Sequence, residues 1–520
     1  MENRIEHKTG TINVSKKIIA HVAEGIYKNP ANAIKELVSN AFDACATWVK
    51  ITTNIPYFNF ITCEDNGGGI GLEDFENILD QIGSSGKRMN KREYADCENF
   101  ERPIIGKIGI GLLSVAQICD KFTVISKRKG DDIFFEATIG LQQFKEESYI
   151  LNKKIALGKY DLYINSASEE DIPISYTKII MTSLKQGFQD DLRQKERVIK
   201  PEEMISKVLD ISEFIEPLAS KDFRSISIYD NMIWELGLLC PIKYISRNDI
   251  IFPSTKYIQN DIERLINYNF RLFVDGLEVY KPILFQKKKG LENEGEDFKI
   301  YTLPEFDDLV GGEQLKFHGY IYSQKSGIKP NGLQGILIRI KDVTIGNYDR
   351  NILRYPSEEG PIFGMISGEV FIEKGLENAL NIDRNSFNET HPHYQKLQSK
   401  LHEFVKKHVF NDIRERSEKR LAKQKAVRIN QDLNRLTEKI RQKWDMELEF
   451  EINEKDYNQP YVFDKDKMKL SFFVKSKGWA KSEKERFYQM KSIANIILIE
   501  HSLGKISTEE LISNILLGQK

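Results

Sequence analysis

Lys35-Glu36-Leu37-Val38-Ser39-Asn40-Ala41-Phe42-Asp43-Ala44 and, after two short apolar runs, Glu64-Asp65-Asn66-Gly67-Gly68-Gly69-Ile70 decide how this chain is read. In the first stretch Ile34, Leu37, Val38 and Ala41 recur at three- and four-residue spacing, which predicts a helix between Ile18 and about Thr47. Glu36, Asn40 and Asp43 then share one helix face. A carboxylate there can polarise a water, and a carboxamide oxygen is a hard ligand suited to Mg²⁺. A solvated helix face is the plainer reading of the same spacing. In the second stretch, a carboxylate at a strand end can accept from an exocyclic amino group such as that of adenine. The glycines behind it let the backbone turn sharply and approach a ligand closely. An ordinary strand-ending turn uses the same residue types.

Working outward, strand-like runs at Val49–Thr53 and Asn59–Cys63 precede the glycines. Leu72–Gln81 reads as a helix, followed by a polar stretch from Gly83 to Arg102. A second glycine cluster, Ile105-Gly106-Lys107-Ile108-Gly109-Ile110-Gly111-Leu112-Leu113-Ser114, opens a helix over Leu112–Cys119. Glycine-rich backbone at a helix start offers free N–H groups to phosphate. No βαβ unit surrounds it, which disfavours a dinucleotide fingerprint. Strands dominate to about Leu184 and include Tyr176-Thr177-Lys178-Ile179-Ile180-Met181. Helices and strands fall in separate runs, which predicts an α+β fold.

Lys185–Glu203 reads as a linker, and Trp234–Pro241 as buried core with a turn. Leu401–Trp444 lacks proline and glycine and carries 13 Lys/Arg against 6 Asp/Glu. Its plain reading is a solvated helix packed through Leu401, Val405, Ile413 and Leu421; the sharper one is a nucleic-acid contact, with little aromatic interleaving to support base stacking. The last 75 or so residues read as a strand-rich piece, Leu448–Val474, with two amphipathic helices.

The whole chain has 520 residues and a net charge of -1, so any attraction to nucleic acid or to an acidic membrane has to be local. No apolar run approaches the ~20 residues of a membrane span, and the polar start does not read as a signal peptide. Cys45, Cys63, Cys97, Cys119 and Cys240 are odd in number and lack C-x-x-C spacing. They are expected to be small buried hydrophobes in a reducing, cytoplasmic protein.

Taken in order, the four segments resemble the GHKL ATPases, the superfamily of DNA gyrase B, histidine kinases, MutL and the 90-kDa heat-shock chaperones. The resemblance covers about Ile18–Leu184 and implies a Bergerat-type two-layer α/β sandwich binding ATP and Mg²⁺. By that resemblance Glu36 would be the general base and Asn40 the Mg²⁺ ligand. Asp43 would reach ligand through water. Asp65 would read the adenine amino group with Thr177 behind it, and Gly67, Gly69 and Ile70 would line the base. Backbone at Gly109, Ile110, Gly111 and Leu112 would hold phosphate, with Lys87 and Lys107 either as further phosphate contacts or, as is commoner in such segments, as solvated lysines. Gly106–Ser114 followed by Asp120–Val124, and Gly83–Lys87 as the start of a lid, are similar to the chaperone branch. MutL proteins carry Arg-Gly-Glu where Gly-Ile-Gly stands here. No phosphoacceptor-histidine helix precedes the site, which disfavours a histidine kinase.

Leu380-Asn381-Ile382-Asp383-Arg384-Asn385-Ser386-Phe387-Asn388 resembles the chaperones' middle-domain arginine loop, with Asp383 in place of serine and Asn388 in place of glutamine. Arg384 is implied as a catalytic cation, or else pairs with Asp383. Leu315–Gln324 and Gly335–Gly346 resemble that domain's paired strands, and Ile366–Phe371 the strand before the loop. The domains are expected at 1–190 (ATP-binding), 191–255 (linker or insertion), 256–400 (middle), 401–445 (basic helix) and 446–520 (small α/β). Two functions stay open: a slow ATP-driven clamp, homodimeric and acting on protein partners, in bacterial stress or phage defence; or a DNA-associated ATPase of MutL or MORC role.

Overall fold

The computed structural model describes residues 4–14, 30–80, 94–97, 100–105, 115–141, 155–193, 227–245, 255–281, 290–329, 331–356, 360–381, 386–444 and 448–503. The chain divides into two compact units, Met1–Ile413 and Arg414–Lys520.

In the first unit the elements run β1 (Arg4–Val14), α1 (Pro30–Asp43), β2 (Trp48–Thr52), β3 (Ile61–Asp65), α2 (Leu72–Asp80), β4 (Tyr94–Cys97), β5 (Phe100–Pro103), β6 (Cys119–Lys127), β7 (Ile133–Leu141), β8 (Ile155–Ser166), β9 (Tyr176–Leu184) and α3 (Gln186–Arg193). They continue with α4 (Ile228–Leu239), α5 (Lys256–Asn267), β10 (Arg271–Val274), β11 (Leu277–Val279), β12 (Phe298–Val310), β13 (Glu313–Gln324), β14 (Gly335–Ile340), β15 (Val343–Asp349), β16 (Ile366–Lys374) and α6 (Pro392–Phe404). Helix α7 (Asn411–Trp444) contains the boundary between the units. The second unit holds β17 (Glu449–Asn453), β18 (Tyr461–Asp464), β19 (Lys469–Phe473) and α8 (Glu483–Leu503). Its sheet runs β17-β19-β18, and Leu470 and Phe472 share a core with Met490, Ile493 and Ile497 of α8.

The fold is α+β. Nine strands form one sheet in the order β1-β8-β7-β6-β9-β3-β2-β10-β11. Its strands alternate: Val49 and Ile51 are buried while Lys50 and Thr52 are exposed, so one face carries the core. Helices α1 and α2 pack on that face, Phe75 of α2 stacking on Phe135 of β7. Helix α1 is buried on almost every side because it also packs against α4. The second sheet, β12-β13-β16-β14-β15, is antiparallel except for β14 beside β16. Buried Arg339 joins it to the first core, donating to Glu369 Oε1 (2.8 Å) and to Leu238 O of α4 (2.9 Å).

Helix α1 ends in a Schellman arrangement. Cys45 is left-handed (φ 63°), its N–H bonds Phe42 O (3.1 Å), and Ala46 N–H bonds Ala41 O (3.0 Å). Fully buried Arg102 of β5 completes the cap. It donates to Phe42 O (3.1 Å), Ala46 O (2.6 Å) and Tyr268 O (2.6 Å), with Phe42, Phe100 and Phe270 around its guanidinium. Burial pulls that guanidinium down to about 10, opposed by Tyr268 and Asp43.

Several expectations are corrected. Cys45 and Cys97 form a disulfide, while Cys63, Cys119 and Cys240 are buried thiols as expected. Leu315–Gln324 and Gly335–Gly346 are not partners, because β16 lies between β13 and β14. The second run is itself a hairpin that turns at Lys341 and Asp342 (φ 51° and 66°), residues outside the usual Asn-Gly signal. The predicted linker begins with α3, which buries Phe188 and Leu192. Strands β10 and β11, inside residues 256–400, extend the first sheet through a parallel pairing with β2. Leu401, Val405 and Ile413 are buried, but Leu421 is 52% exposed. Of the two C-terminal helices α8 is present, and residues 504–520 lie outside the described residues. No described helix is long and apolar enough to cross a membrane.

Arg102→Ala removes the donor from three carbonyls at the end of α1 and at Tyr268. Phe42 O keeps the Cys45 N–H, whereas Ala46 O and Tyr268 O lose this donor; each buried group left unpaired costs about 1–3 kcal/mol, so the first unit loses on the order of 2 kcal/mol or more. Urea unfolding followed by tryptophan fluorescence reads this as a lower midpoint; an unchanged midpoint contradicts the capping role.

Candidate nucleotide-binding site

Asp65 closes β3, an interior strand between β2 and β9. The antiparallel register sets Asp65 directly opposite Thr177, and Thr177 opposite Ser126 of β6. Three residues far apart in sequence thus meet at one end of the sheet. Ser126 is fully buried and its hydroxyl lies 3.1 Å from Thr177 Oγ1. It donates to Tyr176 O (2.9 Å) and accepts from Ile70 N–H (2.8 Å). Sequence reasoning misses Ser126; only its register against Thr177 marks it, and register is invisible before strands are paired.

The Asp65 carboxylate is 8% exposed and accepts Gly67 N–H at Oδ1 (2.8 Å). Burial lifts its pKa to about 7; the Gly67 N–H opposes the rise and the charge of Glu64 adds to it. An ionised carboxyl has acceptor capacity for several donors, so a ligand amino group can answer part of the desolvation.

Gly67 and Gly69 are required by the protein's own backbone. A Cβ on Gly67 would stand 2.8 Å from Ala44 O, and one on Gly69 (φ 72°) would stand 1.9 Å from Lys127 O. The loop is therefore clamped between the end of α1 and the end of β6. Asn66 adds to this, its Oδ1 accepting from Thr47 N–H (2.9 Å) and Trp48 N–H (3.0 Å).

Glu36 is buried, at 7% exposure, while Asn40 and Asp43 are half-buried on the same helix. The solvated-face reading of α1 fails on this burial. Asp43 Oδ1 accepts Ile105 N–H (2.8 Å), which pins the chain at the entry to the glycine cluster. Among the described residues no group of three or more His, Cys, Asp or Glu could by itself hold a metal ion. Asn40 offers one half-buried carboxamide oxygen on α1, a hard donor of the kind Mg²⁺ takes alongside phosphate oxygens. Lys87, Lys107, Gly109, Ile110, Gly111, Leu112 and Arg384 lie outside the described residues.

The second sheet reaches this region. Lys341 donates to Ile104 O (3.2 Å) and lies 3.6 Å from Glu377, shortly before the Arg384 loop. That loop is closed at its base, where Asn381 N–H bonds Ser386 O (3.0 Å) and Asn381 Nδ2 bonds Ser386 Oγ (2.8 Å). Lys35 of α1 donates to Thr344 O of β15 (3.2 Å).

Residues 27–172 match the family model of Histidine kinase-, DNA gyrase B-, and HSP90-like ATPases. The chain is also similar to chaperone protein HtpG of Clostridium acetobutylicum, 24% identical over 313 residues, covering 54% of this chain and 47% of that protein. HtpG of Clostridium botulinum is 23% identical over 312 residues, with the same shares. HtpG of Orientia tsutsugamushi is 27% identical over 186 residues, covering 31% of this chain and 30% of its own. The chain thus spans at most about half the length of these relatives. Residues 27–172 thus resemble the Histidine kinase-, DNA gyrase B-, and HSP90-like ATPases, on a chain that resembles the HtpG chaperone proteins.

Proposed function

We propose that this chain binds ATP with Mg²⁺, hydrolyses it slowly, and uses the cycle as a conformational clamp on protein partners, as a cytoplasmic homodimer. The observation that carries the reading is the buried Asp65 carboxylate, set against Thr177 and Ser126 at the end of an interior strand. The family match and the likeness to HtpG chaperone proteins support it.

In this reading Asp65 accepts from the adenine amino group, and Thr177 and Ser126 hold the far side of that contact. Ile70, Gly67 and Gly69 shape the wall beside the base. Asn40 supplies the protein oxygen for Mg²⁺, which neutralises phosphate charge when bound. Glu36, shut away from bulk water on α1, orients and deprotonates the attacking water. Asp43 fixes Ile105 and with it the start of the segment that holds phosphate through Gly109, Ile110, Gly111 and Leu112, with Lys87 and Lys107 beside it. Arg384 adds a cation from the second sheet's side; the chain of contacts Glu377–Lys341–Ile104 supports that approach. A role in stress or phage defence belongs to the same proposal.

Asp65→Asn places an amide donor where adenine also donates, and buried unpaired groups cost about 1–3 kcal/mol. Calorimetry is expected to show ATP affinity down by about 10- to 100-fold; unchanged affinity removes the assignment. The wild type carries a pH signature as well. The folded Asp65 keeps its proton up to about 7, above its ordinary 3.8. Its stabilising effect on the fold is full below about 3.8 and is lost as pH rises through about 7. The carboxylate that adenine needs forms over the same rise, so MgATP affinity climbs several-fold from about pH 6 to about pH 8. The climb is absent in Asp65→Asn.

Glu36→Ala is expected to bind ATP almost normally and to turn over at least tenfold more slowly, a loss of about 1.4 kcal/mol in transition-state stabilisation. Turnover within a factor of two of the parent excludes Glu36 as base. Arg384→Ala is expected to keep both ATP affinity and melting temperature while kcat falls tenfold or more. A lowered melting temperature with full kcat would instead mark Arg384 as a partner of Asp383.

A further inference from the structure

Cys45 and Cys97 stand 52 positions apart, and their disulfide bridges Cα atoms 5.5 Å from each other. Cys45 is the left-handed residue that ends α1 and is half-buried; Cys97 ends β4 and is 4% exposed. The other three cysteines are poor competitors for oxidation. Burial pushes the Cys119 and Cys240 thiols up to about 12 and raises Cys63 as well, and exchange requires an accessible thiolate.

The turn that holds Cys45 is the backing of the Asp65 loop. Its neighbour Ala44 accepts Gly68 N–H (2.8 Å), and Asn66 holds the N–H groups of Thr47 and Trp48. On the other side of the bridge, β4 pairs with β5, which carries Arg102 into the α1 cap. Ile105, just past β5, is bonded to Asp43. The bridge therefore ties the wall behind Asp65 to the strand that leads to the phosphate side.

We propose that Cys45–Cys97 is a reversible redox modification site whose closure stiffens the base-binding wall and tightens nucleotide binding; the affinity part rests on the ATP reading above. The oxidant is a small disulfide such as oxidised glutathione. The half-buried Cys45 thiolate attacks one of its sulfurs, and one glutathione thiolate leaves. Cys97 then attacks the mixed disulfide at Cys45 and releases the second glutathione. Two protein thiols become one disulfide, and one glutathione disulfide becomes two thiols. A wall already tethered has less freedom to lose when nucleotide binds, so affinity rises without a new contact.

The test uses the full chain equilibrated in reduced or oxidised glutathione buffer, then denatured and alkylated for mass spectrometry. The expected count is five alkylated cysteines when reduced and three when oxidised, the missing pair mapping to Cys45 and Cys97. Calorimetric titration with MgATP is expected to show the oxidised form binding at least threefold more tightly, and Cys97→Ser binding equally in both buffers. Five free thiols in the oxidised buffer overturn the proposal, as does a closed bridge with unchanged affinity. If neither form binds ATP, the nucleotide reading fails and hydrogen exchange of residues 44–48 and 100–105 decides. Slower exchange in the oxidised form upholds the stiffening; equal exchange overturns it.

Discussion

A carboxylate held away from water is tolerated only where its surroundings supply donors, and the end of β3 is arranged around that demand. Asp65 draws the Gly67 N–H onto itself, and the tight loop this requires leaves no room for side chains at 67 and 69. The loop then leans on Ala44 at the end of α1 and on Lys127 at the end of β6. Lys127 is itself buried and donates to the carbonyls of Arg128, Ile172 and Ile174, so the support is rigid. The helix that carries Glu36, Asn40 and Asp43 is thereby fixed relative to the carboxylate.

The same helix is also where the second sheet takes hold. Lys35 bonds β15, and the adjoining turn at Lys341 and Asp342 meets both Ile104 and Arg264 of α5, the latter through two hydrogen bonds of 2.9 and 2.6 Å. Tyr268, at the end of α5, bonds Asp342 through its hydroxyl (3.3 Å) and accepts from Arg102 through its carbonyl. A continuous polar path thus runs from the α1 cap to the β14–β15 turn. A change at the α1 cap has a physical route to the second sheet, and coupling of this kind requires two discrete arrangements of such a path.

Much of the first domain is legible in the sequence because its signals are local. The three- and four-residue spacing around Ile34–Ala41 gives α1, and the strand-like runs at Val49–Thr53, Asn59–Cys63 and Tyr176–Met181 fall on β2, β3 and β9. The Asp65–Thr177 contact is implied by resemblance and follows physically from register. The features that stay hidden depend on pairing between distant segments. Arg102 reads as one more charge in a polar stretch, yet it is a fully buried cap. Cys45 and Cys97 read as unrelated thiols until the β4–β5 hairpin meets the end of α1. The β14–β15 hairpin reads as one strand because Lys341-Asp342 carries no glycine or asparagine signal, although both residues adopt positive φ. Strands β10 and β11 read as part of the middle domain because a parallel pairing to β2 leaves no mark in either segment.

In the proposed reading, Asp65 accepts from the 6-amino group of adenine. Adenine presents an amino donor at C6, whereas guanine presents a carbonyl acceptor there and its amino group at C2, and an ionised carboxylate can only accept. Calorimetric titration of the wild-type chain with MgATP and with MgGTP at about pH 8, above the Asp65 pKa, measures this directly. Saturable ATP binding is expected, with GTP weaker by at least about tenfold, a difference of about 1.4 kcal/mol. Equal affinity for the two nucleotides would contradict it.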